Sequence, residues 1–414
     1  MQFHSLSGVI SKWANQKLAL ESCTNYGVIT ILLSARALPI TYLSTNRPAE
    51  RMGMGLYEQY LWQSLREATG QRGLNVVAEI VYDGSAPVAD REDLRNFAKR
   101  RQLGFSSARL ESMPFALAKT SISLALANVS SRMFHMLDLK FPAPFPGRTL
   151  YTVHDLPPLH FSDEGRLASW APDTAREAKA ILVPSEFARS EVTKNLHVDP
   201  DKVFVIQCGC DHSRFHTGVA AFTESELAER GLPSRYIVYV GGSTQRKNVT
   251  ALLNAWRNLQ LVYEDLYLVL AGPAETLRRL VESERVSRVV IAGYVDRDTM
   301  PRLIKSSRLL VFPSLYEGFG LPPLEAMALG VPVVANRQAG AVPEVVGPAA
   351  LLTDDGTVEA IRAGIDQVLS DPSMSDDLRR RGPERAREFS WDSHARRVFA
   401  VYEAIANPSG AQKI

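Results

Sequence analysis

Cysteine is scarce in this chain: its 414 residues include only Cys23, Cys208 and Cys210. Three cysteines do not make a disulfide framework, so the sequence indicates a protein of a reducing compartment. Cys208 and Cys210 are one residue apart, which is not the spacing of a zinc site, and no second pair accompanies them. We interpret both as structural residues.

Net charge and long apolar runs are lacking as well. The 47 Lys and Arg residues nearly balance the 45 Asp and Glu residues, and a net charge of +2 predicts no nucleic-acid partner. The apolar segment 28–33 is too short for a membrane span and does not follow the pattern of a signal peptide. We therefore expect a cytoplasmic protein. The basic stretch 92–109 favours a solvated helix face, while contact with anionic headgroups on the inner face of the cell membrane stays open.

Two chemical signatures are also missing. No G-x-G-x-x-G follows the early predicted strands, which argues against a dinucleotide-dependent oxidoreductase. No Ser–His or Cys–His arrangement indicates a covalent nucleophile. A composition of 45% hydrophobic and 22% charged residues fits a soluble α/β protein long enough for two or three domains.

The most informative stretch is residues 309–336, LLVFPSLYEGFGLPPLEAMALGVPVVAN. Its pattern predicts a buried strand over 309–312, a glycine loop, a short helix from Pro322 that ends at Gly330, and a second buried strand over 331–334. This is a βαβ unit of a parallel sheet. The amides at the start of its helix carry roughly half a positive charge and suit a phosphate.

Two carboxylates, Glu317 and Glu325, frame the start of that helix. A phosphate repels both, so each is useful only as an acceptor of other hydrogen bonds, and a hexose and a ribose are rich in hydroxyl donors. The run E-G-F-G-L-P-P-L-E at 317–325, with its preceding strand and the following G-V-P-V-V, resembles the signature of the family-four retaining glycosyltransferases. Together with R-K-N at 246–248 and G-A-V-P-E-V-V at 340–346, it is most similar to bacterial mannosyltransferase-type members that assemble surface polysaccharides.

Short apolar strands alternate with helical segments of about 10–15 residues in both halves of the chain, which predicts two doubly wound α/β domains. The resemblance implies the GT-B fold, in which two Rossmann-like domains face a cleft and a C-terminal helix crosses back to the first domain. We assign residues 1–215 to an acceptor-binding domain, 216–392 to a nucleotide-sugar-binding domain and 393–414 to the crossing helix.

Several local predictions accompany these boundaries. The first strand is placed at 40–45 rather than 30–35, which leaves residues 1–38 as an atypical extension. Residues 113–137 read as a long, packed helix, and residues 217–229 as a polar connection.

Three loops suit a ligand. One ends at Gly55, after the first strand; His154 and Asp155 end the predicted strand 150–153; and Gly241-Gly242 lead from strand 236–240 towards Arg246 and Lys247. An ordinary tight turn, a structural histidine and a pair of solvated charges are the competing interpretations. Asp296-Arg297-Asp298 is a D-x-D, but Asp296 more simply caps a helix over 297–306, so we expect neither a metal nor a cofactor.

The resemblance also implies roles for individual residues. Glu317 would contact hydroxyls of the donor hexose and Glu325 the ribose, while His154 would face the sugar from the other domain. This chain lacks the arginine that members carry near Gly242, and Arg246 is the candidate substitute. The implied catalytic residues are His154, Glu317, Lys247 and Arg246. The implied donor-binding residues are Gly55, Gly242, Arg246, Lys247, Tyr294, Val295, Glu317, Gly318, Phe319, Gly320, Leu321 and Glu325.

The expected activity is retaining transfer of a hexose from a nucleotide sugar to a glycan or lipid-linked saccharide acceptor. GDP-mannose is the first choice of donor, and a UDP-glucose-type donor remains open because the family reads the base largely through backbone groups. A catalytically silent GT-B binding or scaffold subunit is the alternative from another class. Loss of transfer in Glu317→Ala, with folding retained, would separate the two.

Overall fold

The computed structural model describes residues 40–44, 57, 60, 61, 64, 76–80, 133–139 and 146–406. A first group of strands comprises β1 (Ile40–Ser44), β2 (Val76–Ile80), β3 (Met133–Met136), β4 (Thr149–Thr152), β5 (Ala180–Val183) and β6 (Val203–Val205). They form one parallel sheet in the order β2-β1-β3-β4-β5-β6. The sheet and the elements packed on it are called the first lobe. The predicted strand at 40–45 is confirmed, and residues 30–35 lie outside the described residues.

A second group of strands comprises β7 (Tyr236–Val240), β8 (Tyr267–Ala271), β9 (Val289–Gly293), β10 (Leu310–Phe312), β11 (Val333–Asn336) and β12 (Leu351–Thr353). They form a second parallel sheet in the order β12-β11-β10-β7-β8-β9, the centre of the second lobe. β7 and β10 are neighbours, so the strand order reverses between them. The prediction of two doubly wound units is confirmed.

Helices connect the strands, as expected for parallel sheets. The described helices are α1 (Ala171–Glu177), α2 (Glu186–Asn195), α3 (Glu224–Glu229), α4 (Val249–Val262), α5 (Ala274–Glu284), α6 (Met300–Lys305), α7 (Leu321–Ala328), α8 (Val342–Val346), α9 (Val358–Ser370), α10 (Pro372–Ala386) and α11 (Trp391–Ala406). Among the described residues, none of the helices combines the length and apolarity needed to cross a membrane. The basic stretch 92–109 lies outside them.

One local prediction is wrong, and another left out a short helix. Met133–Met136 is a strand rather than the end of a helix, and it lies between β1 and β4. A strand buried on both faces has no alternation of polar and apolar residues, so its sequence is hard to tell from a buried helix. The polar connection contains α3, which begins with a reciprocal pair of hydrogen bonds between Thr223 and Glu226. That T-x-x-E spacing is the signal that the sequence carried.

The last helix packs on the first lobe, as predicted. His394 Nδ1 is 2.8 Å from the Gln207 carbonyl oxygen and its Nε2 is 3.1 Å from the Tyr57 hydroxyl. Further along α11, the Tyr402 hydroxyl is 2.7 Å from Nδ1 of His135 on β3. α11 follows α10 of the second lobe, so it ties the two lobes together.

The core of the second lobe offers a stability test at Trp256. Its ring is fully buried under the second sheet, and its Nε1 donates to the Ser287 carbonyl at 3.0 Å. We expect Trp256→Ala to lower the free energy of unfolding by about 3–5 kcal/mol, because it leaves a cavity and an unpaired carbonyl. Urea denaturation followed by circular dichroism measures it. Leu261→Ala on the same helix, where the side chain is 74% exposed, should change it by less than about 0.5 kcal/mol; similar losses for both variants would contradict the assignment.

Candidate active site

Two loops lie side by side at the point where the strand order of the second sheet reverses. The glycine loop, residues 241–247, follows β7, and the Glu317 loop, residues 313–320, follows β10. Such a reversal opens a crevice at the carboxyl edge of a parallel sheet, where α/β proteins bind ligands. The Leu315 amide donates to the Arg246 carbonyl at 2.7 Å and joins the two loops.

The glycine loop enters α4 through Asn248, whose φ of 56° is left-handed. Asparagine tolerates this conformation better than most residues. Its side-chain amide donates to the Pro313 carbonyl at 3.1 Å and the Gly356 carbonyl at 2.8 Å. The R-K-N sequence therefore holds Arg246 and Lys247 against the Glu317 loop.

The Glu317 carboxylate is buried between two cations of the glycine loop. Lys247 Nζ donates to Oε1 at 2.6 Å, and Arg246 Nη1 donates to Oε2 at 3.0 Å. Burial opposes ionisation, but the charges of Lys247 and Arg246 outweigh it and hold the pKa of Glu317 below its usual value. Glu317 is therefore ionised at neutral pH and fixed in position.

Beyond Glu317 the loop turns into α7. Gly320 has a φ of +113° and stands at the cap position, and Pro322 and Pro323 follow in the first turn, where a missing amide costs nothing. Phe319 is buried against Phe389, with ring centroids 5.9 Å apart. In the first turn of this eight-residue helix Leu321 keeps a free amide, whereas Pro322 and Pro323 have none and the Leu324 amide donates to the Gly320 carbonyl.

His154 follows β4 at the carboxyl edge of the first sheet. Its ring lies edge-on to Tyr57 with centroids 4.4 Å apart, and its buried Nε2 has no hydrogen-bond partner among the described residues. Burial and the neighbouring His394 lower the pKa of His154 to about 4. It is therefore a neutral imidazole with one ring nitrogen unused, which departs from the expectation for a structural histidine.

The two lobes touch where His154 meets the Glu317 loop. A Cβ built on Gly318 would lie 1.9 Å from the His154 carbonyl oxygen, so only glycine fits there. Ser185, which caps α2, donates from Oγ to the Gly318 carbonyl at 2.8 Å. Glu344 of α8 completes the contact by accepting hydrogen bonds at 2.9 and 2.7 Å from the amides of Glu186 and Phe187. These contacts join the two lobes beside the Glu317 loop.

A second cluster lies around Arg297 and Asp211. Arg297 Nη2 donates to Asp211 Oδ2 at 3.2 Å, and its guanidinium lies 4.3 Å from the centre of the Tyr60 ring. Tyr60 in turn donates to Asp211 Oδ2 at 2.8 Å. Glu325 is near enough to feel both charges, yet its carboxylate makes no hydrogen bond within the described part of the chain. Burial raises the pKa of Glu325 to about 8, although the charge of Arg297 opposes the shift.

This raised pKa predicts that the effect of Glu325→Gln on the stability of the folded protein depends on pH. The folded protein keeps a proton on Glu325 up to about pH 8, whereas the unfolded chain releases it near 4.5, so the folded state binds more protons in between and loses stability as the pH rises. The variant should match the wild type near pH 4.5, become increasingly more stable than it up to pH 8, and keep that advantage above. Thermal midpoints across this range measure the difference. Glu282→Gln, at an exposed position of α5, is the control, and a difference independent of pH would contradict the shift.

The structure brings only some of the predicted site residues together. Arg246, Lys247 and Glu317 form one cluster, and Gly318 meets the backbone of His154. Gly242 lies in the same loop, and no atom lies within 4 Å of a Cβ built on it. Its carbonyl oxygen accepts a hydrogen bond from the Tyr239 hydroxyl at 2.6 Å. Tyr294 is 67% exposed after β9 and Val295 is partly buried. Gly55 lies outside the described residues.

The interpretation of Asp296 needs a correction. Helix α6 begins at Met300 rather than at 297, because Asp296 Oδ1 holds a turn by accepting from the amides of Asp298 and Thr299 at 3.0 and 2.9 Å. Pro301 then suits the first turn of the helix. Asp298 pairs with Arg214 instead of turning towards Asp296. Among the described residues there is no group of three or more His, Cys, Asp or Glu that can hold a metal ion.

Cys208 and Cys210 are buried and unpaired, consistent with a structural role. Burial raises the pKa of Cys208 to about 12, so its thiol stays protonated and unreactive at neutral pH.

Sequence reasoning missed three charged residues of the site and gave a fourth, Asp155, no role of its own. Asp163 and Glu164 of the first lobe bond to the glycine loop, Arg297 links the lobes through Asp211, and Asp155 adds a carboxylate near Arg246. Asp155 was visible beside His154, but the others stand in polar segments that look like ordinary surface. No local pattern distinguishes them.

Two family models match the chain, one in each half. The family model Glycosyltransferase Family 4 matches residues 64–214, and Glycosyl transferases group 1 matches residues 224–385. O-antigen chain mannosyltransferase B of Escherichia coli is 29% identical over 359 residues, covering 83% of this chain and 91% of the relative. MMP alpha-(1->4)-mannosyltransferase of Mycolicibacterium hassiacum is 34% identical over 245 residues, 56% of each protein.

Solved structures show the same architecture. Sucrose-phosphate synthase from Thermosynechococcus elongatus superposes with a TM-score of 0.65 at 20% identity, covering 90% of this chain and all of that one. The chain therefore belongs to the family-four glycosyltransferases and has the GT-B fold. It is a hexosyltransferase similar to bacterial mannosyltransferases of surface-polysaccharide assembly, which sets aside a silent scaffold.

Proposed function

We propose that this enzyme moves a hexose, mannose from GDP-mannose as the first choice, from a nucleotide sugar to a glycan or lipid-linked saccharide with retention of anomeric configuration and without a metal. The observation that carries the proposal is the buried Glu317 carboxylate, held by Lys247 and Arg246 in the crevice of the second sheet. Both relatives described above are named mannosyltransferases, which favours mannose.

Glu317 suits a sugar because its two oxygens have lone pairs beyond those that the cations use. Each oxygen accepts one hydrogen bond from Lys247 or Arg246 and can accept another from a hexose hydroxyl. The cations keep the carboxylate ionised and leave it little freedom, so binding a hydroxyl costs little reorganisation. Glu317 then orients the hexose rather than attacking it.

Departure of the nucleoside diphosphate builds negative charge on its phosphate oxygens. Lys247, Arg246 and the free amide of Leu321 at the start of α7 are the groups close to Glu317 that can stabilise this charge. Donors aimed at charge that develops in the transition state are worth about 3–4 kcal/mol each. These groups supply the positive charge that a metal ion would otherwise provide. The carboxylate oxygens of Asp296 and Asp298 bond to other groups.

His154 completes the site from the first lobe. As a neutral imidazole it adds no charge to the cleft, and its unpartnered Nε2 can exchange a hydrogen bond with the hexose. Within the described residues, no serine or cysteine stands beside His154 as an activated nucleophile. Front-face transfer, in which the leaving phosphate takes the proton of the acceptor hydroxyl, fits retention without a covalent intermediate.

A ligand panel tests the proposal. We expect GDP-mannose to raise the thermal midpoint more than UDP-glucose, ADP-glucose or TDP-glucose, because binding to the folded state alone stabilises it. The nucleotide sugar that raises the thermal midpoint most is then assayed as a donor, with a saccharide acceptor, in the presence and absence of EDTA. Nuclear magnetic resonance of the product reports the anomeric configuration.

Each outcome of the panel decides one part of the proposal. Retention and EDTA-resistant turnover support the mechanism, whereas inversion overturns the front-face path and loss of turnover in EDTA overturns metal independence. A larger shift with UDP-glucose would replace GDP-mannose by a UDP-glucose-type donor.

A further inference from the structure

We propose that Asp163 and Glu164 form an internal mimic of the donor diphosphate, an acidic latch that occupies the glycine loop and competes with the nucleotide sugar. The latch is defined as the 3-10 turn Ser162–Glu164, which follows β4 in the first lobe. The inference rests on the proposed function, because it assumes that the glycine loop receives the diphosphate.

The geometry of the latch is that of an anion bound to a loop. Glu164 Oε1 accepts from Thr244 Oγ1 at 2.7 Å and from Arg246 Nε at 2.6 Å. Asp163 Oδ2 accepts from the Gln245 amide at 2.7 Å. A hydroxyl, a guanidinium and a backbone amide are the groups with which proteins bind phosphate oxygens. The two carboxylates thus use donors that a diphosphate would need.

The latch and a donor diphosphate are both negatively charged, so they cannot occupy the glycine loop at the same time. Arg246 and Lys247 already face Glu317, and Asp155 lies close enough to interact electrostatically with all three. The latch adds Glu164 to this group and Asp163 at its edge. A diphosphate would bring about two more negative charges into the same partly buried space, where like charges repel strongly. The donor can therefore settle only after the latch has left.

The latch is built to leave at small cost. None of the three residues of the turn is buried, so the turn is anchored by the hydrogen bonds to the glycine loop and not by a core side chain. Gly165 follows with a φ of +85° and nothing within 4 Å of a built Cβ, which leaves room for the turn to move. Together with the Ser185 and Glu344 contacts, the latch holds the cleft closed without donor, and the apparent donor affinity falls as the closed fraction rises.

The test compares nucleotide affinity in three proteins. The double variant Asp163→Asn/Glu164→Gln removes both charges of the latch. The control Asp173→Asn/Glu177→Gln changes the net charge equally at two exposed positions of α1 in the same lobe. We expect GDP or UDP, measured by isothermal titration calorimetry, to bind the latch variant about tenfold more tightly than the wild type, and the control within twofold of it.

A second measurement does not depend on any nucleotide. Small-angle X-ray scattering of the free proteins should give a larger radius of gyration for the latch variant than for the wild type or the control. Unchanged or weaker nucleotide binding by the latch variant overturns the inference, as does an unchanged radius of gyration. If none of the proteins binds a nucleoside diphosphate, the proposed function fails, and the scattering alone decides whether Asp163 and Glu164 hold the cleft closed.

Discussion

Glu317→Gln is expected to lower the rate of hexose transfer by about 10²–10³-fold while the protein stays folded. The amide keeps the volume of the carboxylate but replaces one acceptor oxygen by a donor. The amide side chain of the variant can no longer accept hydrogen bonds from Lys247, Arg246 and a sugar hydroxyl at the same time. Initial rates with the donor identified by the ligand panel, at saturating donor and acceptor, measure the loss.

The structure changes the choice of variant for this experiment. Glu317→Ala would leave two largely buried cations without their shared partner, and breaking a buried ion pair in this way costs about 3–5 kcal/mol. Loss of transfer in Glu317→Ala would therefore mix chemistry with unfolding. Glu317→Gln removes the same charge but keeps the volume and one acceptor oxygen for the cations, and far-ultraviolet circular dichroism of this variant checks that it stays folded. Glu359→Gln, at an exposed position of α9, is the control and should keep full activity. A Glu317→Gln enzyme with an undiminished rate contradicts the role given to Glu317.

Gly318→Ala is expected to abolish closure of the cleft and to lower transfer by at least about 10²-fold, the effect of misplacing reacting groups by roughly 1 Å. The added methyl group would lie 1.9 Å from the His154 carbonyl oxygen and 2.9 Å from the Asp155 Cβ. The nearest atom belongs to the backbone, which cannot swing aside as a flexible side chain can. The lobes must therefore separate, which also removes the hydrogen bond from Ser185.

Rate measurements and small-angle scattering together test this expectation. The radius of gyration of Gly318→Ala should exceed that of the wild type, and its far-ultraviolet circular dichroism should be unchanged, because Gly318 lies in a loop outside the helices and strands. Gly147→Ala is the matched control, since nothing lies within 4 Å of a Cβ at that position. Normal turnover by Gly318→Ala would show that transfer does not require the contact between Gly318 and His154.

Much of the second lobe could be predicted because its local signals agree with one another. In residues 309–336, apolar runs, glycines and prolines all indicate the same boundaries, and β10, α7 and β11 begin within two residues of the predicted positions. β3 was missed because a central strand has no polar face. The helix α3 was missed because its neighbours are polar, although its capping residues were readable.

The site could be predicted only in part, for a physical reason. Glu317 and Lys247 belong to loops whose glycines and flanking strands set them apart. Glu164 is separated from Arg246 by 82 positions and approaches it only when the two lobes close. Hydrogen bonds between lobes depend on the relative position of two rigid bodies, and no short stretch of sequence encodes that position.

The crossing helix α11 has a consequence for the order in which the protein is made. His135, in the middle of the first sheet, is paired with Tyr402, which the ribosome adds among the last residues of the described chain. Domains usually fold as units during synthesis, the N-terminal one first. Here the first lobe lacks this partner until α11 has been made, and α11 follows the second lobe in the chain, so the nascent first lobe depends on the second lobe having already been synthesised.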